Sequence, residues 1–203
     1  MAEDKSKNEK HQAAMEKQKT KVDANIAAAS TERGVSVLLT GNGKGKSSSA
    51  FGMLLRALGY KQKVAVVQFI KGAQLSGEEI FIQQHFSEIP FYQMGTGFTW
   101  DTQNREADIT AAKRTWAIAE EHLRDESIDL VILDELTYMI GYDYLDEDKI
   151  ISAIANRPEQ QSLVVTGRGG GKKLREVVDT VSEVKDVKHA YTSGIKARKG
   201  VDY

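Results

Sequence analysis

Residues 35–48 constrain the fold more than any other part of the chain. Val35-Ser36-Val37-Leu38-Leu39-Thr40 is a short β-branched and apolar run, the composition of a buried strand. It gives way at once to Gly41-Asn42-Gly43-Lys44-Gly45-Lys46-Ser47-Ser48, and residues 47–58 follow with Phe51, Leu54, Leu55 and Leu58 at helical spacing before Gly59 marks a C-terminal stop. Strand, glycine turn and helix in that order make a phosphate loop. Glycines let successive backbone N–H groups turn inward around phosphate oxygens, and the helix start adds partial positive charge. Lys46 neutralises phosphate and Ser47 can ligate Mg²⁺. Thr40 stands where the usual pattern has its first glycine, so the cradle is a modified one. A nucleoside triphosphate is the implied ligand.

The rest of the chain repeats the alternation. Val64-Ala65-Val66-Val67-Gln68-Phe69, Leu130-Val131-Ile132-Leu133 and Leu163-Val164-Val165-Thr166 read as buried strands, and Ile89-Pro90-Phe91-Tyr92 as a weaker one near an edge. Residues 105–125 place Ile109, Ala112, Trp116, Ala119 and Leu123 three and four apart, an amphipathic helix whose start is marked by Asp101 and Asn104. Further helices are expected between strands two and three, near 148–156 and over 172–184, and residues 188–191 offer a last strand. Continuous apolar strands separated by such helices imply an α/β fold, a mainly parallel sheet with helices on both faces. The chain of 203 residues is long enough for one such domain, taken as residues 34–203. Residues 1–33 are rich in Lys, Gln, Glu and Ala without Pro or Gly, an N-terminal polar segment that is either helical or a flexible tail.

Composition removes several classes of function. With 28 Lys+Arg against 29 Asp+Glu there is no global field to gather nucleic acid or an anionic membrane. The absence of cysteine excludes disulfides and thiolate metal sites. No apolar run approaches the ~20 residues of a spanning helix and the start lacks a secretory core, so a soluble cytoplasmic protein is expected. The histidines at 11, 85, 122 and 189 show no metal-ligand spacing, and Glu78-Glu79 and Glu120-Glu121 read as solvated helix faces.

Three further segments carry chemistry. Asp134-Glu135 closes an apolar strand where phosphate-loop proteins hold their magnesium, and that strand is expected beside residues 35–40 so that a carboxylate, Glu135 in the first place, reaches a metal on Ser47. Gly95-Thr96-Gly97-Phe98-Thr99-Trp100-Asp101 sets two aromatics in a glycine-flanked loop, either anchors on the core or a surface for a flat apolar ligand. Thr166-Gly167-Arg168-Gly169-Gly170-Gly171 either brings Arg168 to phosphate or is a turn with a solvated arginine. Hydrolysis, phosphoryl transfer and attack at another atom of ATP all stay open on these motifs.

Taken together, the segments resemble one family, the phosphate-loop type of corrinoid adenosyltransferase. The resemblance spans nearly the whole chain and rests on Thr-Gly-Asn-Gly-Lys-Gly-Lys at 40–46, Val-Gln-Phe-Ile-Lys-Gly at 67–72 and Gly-Phe-Thr-Trp-Asp-Thr-Gln-Asn-Arg-Glu at 97–106. Leu-Asp-Glu-Leu-Thr-Tyr-Met at 133–139, Thr-Gly-Arg-Gly at 166–169 and the closing Lys-Gly-Val-Asp-Tyr support it. It implies a RecA-like fold, a homodimer, and transfer of the 5′-deoxyadenosyl group of Mg·ATP to Co(I) of cobalamin or a corrinoid precursor, with triphosphate leaving; Mn²⁺ is an alternative ion. A flavodoxin-like donor would supply the electrons that reduce the corrinoid cobalt to Co(I). Phe98 and Trp100 would line the lower face of the corrin, residues 41–48 and Arg168 would hold the nucleotide, and Ser47 and Glu135 the metal. Ser47-Ser48 stand where the family has Thr-Thr, which keeps a hydroxyl, and Gly170-Gly171 make the loop after Arg168 richer in glycine than is usual. The alternative is a phosphate-loop ATPase or kinase of another substrate.

Overall fold

The computed structural model describes residues 2–70, 75–95 and 104–203. Residues Met1–Glu32 and Arg33–Tyr203 form two compact units. The first is a single helix, α1 (Ala2–Ala28), whose apolar side chains Met15, Val22 and Ile26 are all exposed. Its Ala, Lys, Glu and Gln content favours a helix by local propensity without a packed face.

The second unit runs β1 (Ser36–Thr40), α2 (Lys46–Gly59), β2 (Val64–Gln68), α3 (Gly77–His85), β3 (Phe91–Gln93), α4 (Arg105–Arg124), β4 (Leu130–Asp134), α5 (Leu136–Gly141), α6 (Glu147–Ala155), β5 (Ser162–Thr166), α7 (Lys172–Val177), β6 (Thr180–Glu183) and a short 3-10 turn, Ala190–Ser193. The strands make one parallel sheet in the order β3-β2-β4-β5-β1-β6. Successive residues of each strand feed opposite faces, as the two-residue period requires. Val64, Val66, Leu130, Ile132 and Val164 pack with Phe51 and Leu54 of α2 and Ile82 of α3. Ala65, Val67, Val131, Leu133 and Val165 pack with Trp116 and Leu123 of α4 and Ile150 of α6. The expected α/β fold with both faces covered is therefore the observed one. No described helix is long and apolar enough to cross a membrane.

Three expectations are corrected. β4 is not beside β1: β5 lies between them, pairing Leu163 with Ser36 on one side and Ser162 with Leu130 on the other. The helix expected over 172–184 stops at Val177, and residues 180–183 become β6 instead, with Thr180 opposite Val37 and Glu183 opposite Thr40. Leu174, Val177, Val178 and Val181 carry helical spacing, yet the free edge of β1 offers ladder hydrogen bonds, and the Asp179 carboxylate accepts from the Ser36 N–H and hydroxyl, both at 2.8 Å. Residues 188–191 form no strand; the 3-10 turn begins at Ala190 after His189.

Candidate functional site

β1 delivers Thr40, buried, whose hydroxyl donates to the Gly169 carbonyl at 2.7 Å. The threonine in place of a glycine thus ties the phosphate loop to the 166–171 turn. At Gly43 a Cβ would come 2.6 Å from the Lys185 carbonyl oxygen, a gap that only glycine fits. The Gly43 N–H donates to the Val184 carbonyl at 2.7 Å, so this N–H does not turn inward as expected; it is spent on the continuation of β6. The open donors begin later. α2 follows Gly45, left-handed at φ 119°, and no side chain caps its first N–H groups.

Lys44, Gly45, Lys46, Ser47 and Ser48 line a cleft of about 820 Å³ together with Asp134 and Glu135. Lys46 is buried and its Nζ donates to the Gly43 carbonyl at 2.8 Å. Burial pushes its ammonium below the ordinary lysine range, Glu135 opposes this, and Arg168 and Lys44 add to it. A phosphate group is the natural counter-charge for an ammonium so placed. The other side of the cleft is apolar: Phe51, Leu54 and Leu55 of α2 and Phe81 and Ile82 of α3 line it, with Leu55 and Phe81 about half exposed.

Glu135 starts α5 in the left-handed region at φ 59°, and its N–H donates to Thr166 Oγ1 at 3.0 Å. Because β5 separates β4 from β1, Thr166 at the end of β5 is the bridge between the carboxylates and the phosphate-loop side. Asp134 Oδ1 accepts from Thr166 Oγ1 at 2.6 Å and Oδ2 from Gln68 Nε2 at 2.8 Å, so both oxygens are engaged within the protein. Among the described residues no cluster of His, Asp and Glu would hold a metal by protein ligands alone. The hydroxyl of Ser47 and the carboxylate of Glu135 are hard oxygen donors that suit a magnesium ion carried by phosphate.

Asn42 and Arg168 line a neighbouring cavity of about 640 Å³, which shares Ala197, Val201 and Asp202 with the first. The Arg168 carbonyl accepts from Thr137 Oγ1 at 2.7 Å. Phe98 and Trp100 lie outside the described residues. Two participants went unnoticed in the sequence. Asp202 pairs with Lys44 at 2.8 Å, and residues 200–203 close one side of the cleft. Glu79, expected on a solvated face, is buried and accepts from Gln93 Nε2 at 2.6 Å. No spacing rule brings residue 202 to residue 44, and nothing local in the sequence sets the buried Glu79 apart from its neighbour Glu78.

Residues 32–203 match the family model described as ATP:corrinoid adenosyltransferase BtuR/CobO/CobP. The corrinoid adenosyltransferase of Escherichia coli K12 is 49% identical over 196 residues, covering 97% of this chain and 99% of that protein. The one from Pseudomonas aeruginosa is 49% identical over 203 residues, the full length of both. Corrinoid adenosyltransferase CobA of Salmonella typhimurium is 47% identical over 196 residues, 97% of this chain and 99% of that one. The chain belongs to the ATP:corrinoid adenosyltransferase family, a family of transferases.

Proposed function

We propose that this chain transfers the 5′-deoxyadenosyl group of ATP to Co(I) of cobalamin or a corrinoid precursor. The observation that carries the reading, within this family, is the uncapped start of α2 beside the buried Lys46, with Glu135 in the same cleft and an apolar wall beyond. The cobalt electron pair forms the bond to C5′, the C5′–O bond breaks, and triphosphate leaves with the electron pair of that broken C–O bond. Charge therefore builds on the departing oxygens, where the N–H groups of residues 45–48 and the Lys46 ammonium stabilise it. Before nucleotide binds, Lys46 holds the Gly43 carbonyl; exchanging that neutral acceptor for phosphate strengthens its hydrogen bond. Mg²⁺, with Mn²⁺ as an alternative, would be held by Ser47 and Glu135 and would neutralise part of the triphosphate charge. Gly41, Asn42, Gly43, Lys44 and Arg168 complete the nucleotide-binding set in this reading. Phe98 and Trp100 are assigned to the lower face of the corrin, where an apolar surface removes an axial donor and makes Co(II) easier to reduce. A homodimer, a transient flavodoxin-like electron donor and a cytoplasmic location belong to the same proposal.

The test is to mix the chain with Mg·ATP and chemically reduced cobalamin and follow the adenosylcorrinoid spectrum and the phosphate product. Adenosylcobalamin with one triphosphate per turnover is expected. ATP binding without alkylation, or ADP as the product, overturns the reading.

A further inference from the structure

Four adjacent strands end in polar, hydrogen-bonding residues: Thr166 on β5, Asp134 on β4, Gln68 on β2 and Gln93 on β3. Thr166, Asp134 and Gln68 are each at most 1% exposed, as few polar residues are without a purpose. Their side chains form one continuous row. Thr166 Oγ1 donates to Asp134 Oδ1 and Gln68 Nε2 donates to Asp134 Oδ2. Gln93 Nε2 donates to Gln68 Oε1 at 2.9 Å and to Glu79 Oε2 at 2.6 Å, and Gln83 Nε2 reaches Glu79 Oε1 at 3.0 Å.

The direction of every bond is set by the two carboxylates, which when ionised only accept. Asp134 accepts the hydrogen bond from the Thr166 hydroxyl, which turns a lone pair of that oxygen to the N–H of Glu135, the residue that stands in the left-handed conformation. At the other end Glu79 belongs to the first turn of α3, whose cap Ser76 and neighbours Gly77, Glu78 and Phe81 line the cleft. The row thus connects the carboxylate side of the cleft to its α3 wall, across four strands, by hydrogen bonds that cannot reverse singly.

We propose that Gln68 and Gln93 are positioning residues for adenosyl transfer: they lock the spacing between Glu135 and the α3 wall, and so the alignment of the nucleotide with whatever occupies the rest of the cleft. This rests on the function proposed above. Gln93 is the informative position because both of its contacts take a donated hydrogen and because it stands on the edge strand β3, where it ends the row of strand-end residues.

Gln93→Glu keeps the shape and removes the donor, whereas Gln93→Lys keeps donors. With Mg·ATP and chemically reduced cobalamin, Gln93→Glu is expected to lower kcat by about tenfold or more while the KM for ATP stays within about threefold, since misalignment costs rate before it costs binding. Gln93→Lys is expected to recover most of the rate. A folded Gln93→Glu with the parent kcat, a loss confined to KM, or a Gln93→Lys as slow as Gln93→Glu overturns the positioning role. Should Gln93→Glu fail to fold, Gln93→Met takes its place with the same outcomes. A parent chain that binds ATP without forming adenosylcobalamin overturns the proposed function instead, so the two failures are distinct.

Discussion

At the scale of single residues, Lys46 is a buried charge whose cost in stability is set against its proposed part in phosphate binding. Its ammonium donates to one carbonyl in a buried position, and burial first, with Arg168 and Lys44 against the opposing Glu135, lowers its proton affinity from that of an ordinary lysine. Lys46→Met should therefore melt no lower than the parent, because it relieves a buried charge. The same change should lower kcat/KM for ATP by roughly 10²–10³-fold, since in the proposed reaction the lost ammonium faces the charge that grows on the leaving group. Melting curves and initial rates on one preparation check both halves, and a lower melting temperature with unchanged kcat/KM would contradict them. This lysine was legible from its place in the motif. Gln68 and Glu79 were not, because a polar residue at a strand end or in a helix looks the same in sequence whether it is solvated or meets a partner from another strand.

At the scale of elements, β6 is the part that local pattern misread. It is an edge strand with all four residues exposed, so no apolar run announces it. What holds its start is Asp179, which pairs with Arg33 and accepts from Ser36. The hydrogen bond from Arg33, then that from the Ser36 N–H, holds its carboxyl well below the ordinary range. A depressed carboxyl contributes stability that is fully present above the unfolded value, about 4, and is lost as pH falls toward the folded one. Asp179→Asn should accordingly lower the denaturation midpoint at neutral pH, with the gap to the parent narrowing steadily once the pH drops below about 4. Midpoints measured across pH 7 to 2.5 would show this, and a gap independent of pH would refute the ion pair as its source.

For the whole molecule, the two compact units differ in what stabilises them. The unit Arg33–Tyr203 has apolar clusters on both faces of its sheet, while the side chains of α1 are exposed from residue 7 to residue 28. A helix that buries so little apolar area contributes little to a cooperative transition. Removal of residues 1–32 should leave the melting transition of the remainder in place and subtract only helical signal, as read by circular dichroism. A markedly lower transition in the shortened chain would show that α1 belongs to the same cooperative unit.

The alternation of buried strands and amphipathic helices, the phosphate-loop motif and the family are written in neighbouring residues, each through a period or a motif, and were legible without a structure. Which strands are neighbours was not legible in the sequence, since pairing is settled by the packing of whole elements. That choice placed β5 between β4 and β1, turned residues 180–183 into an edge strand, brought Asp202 to Lys44 and aligned Thr166, Asp134, Gln68 and Gln93 in one row. Each of these contacts joins residues far apart in the chain, where no local spacing carries the information.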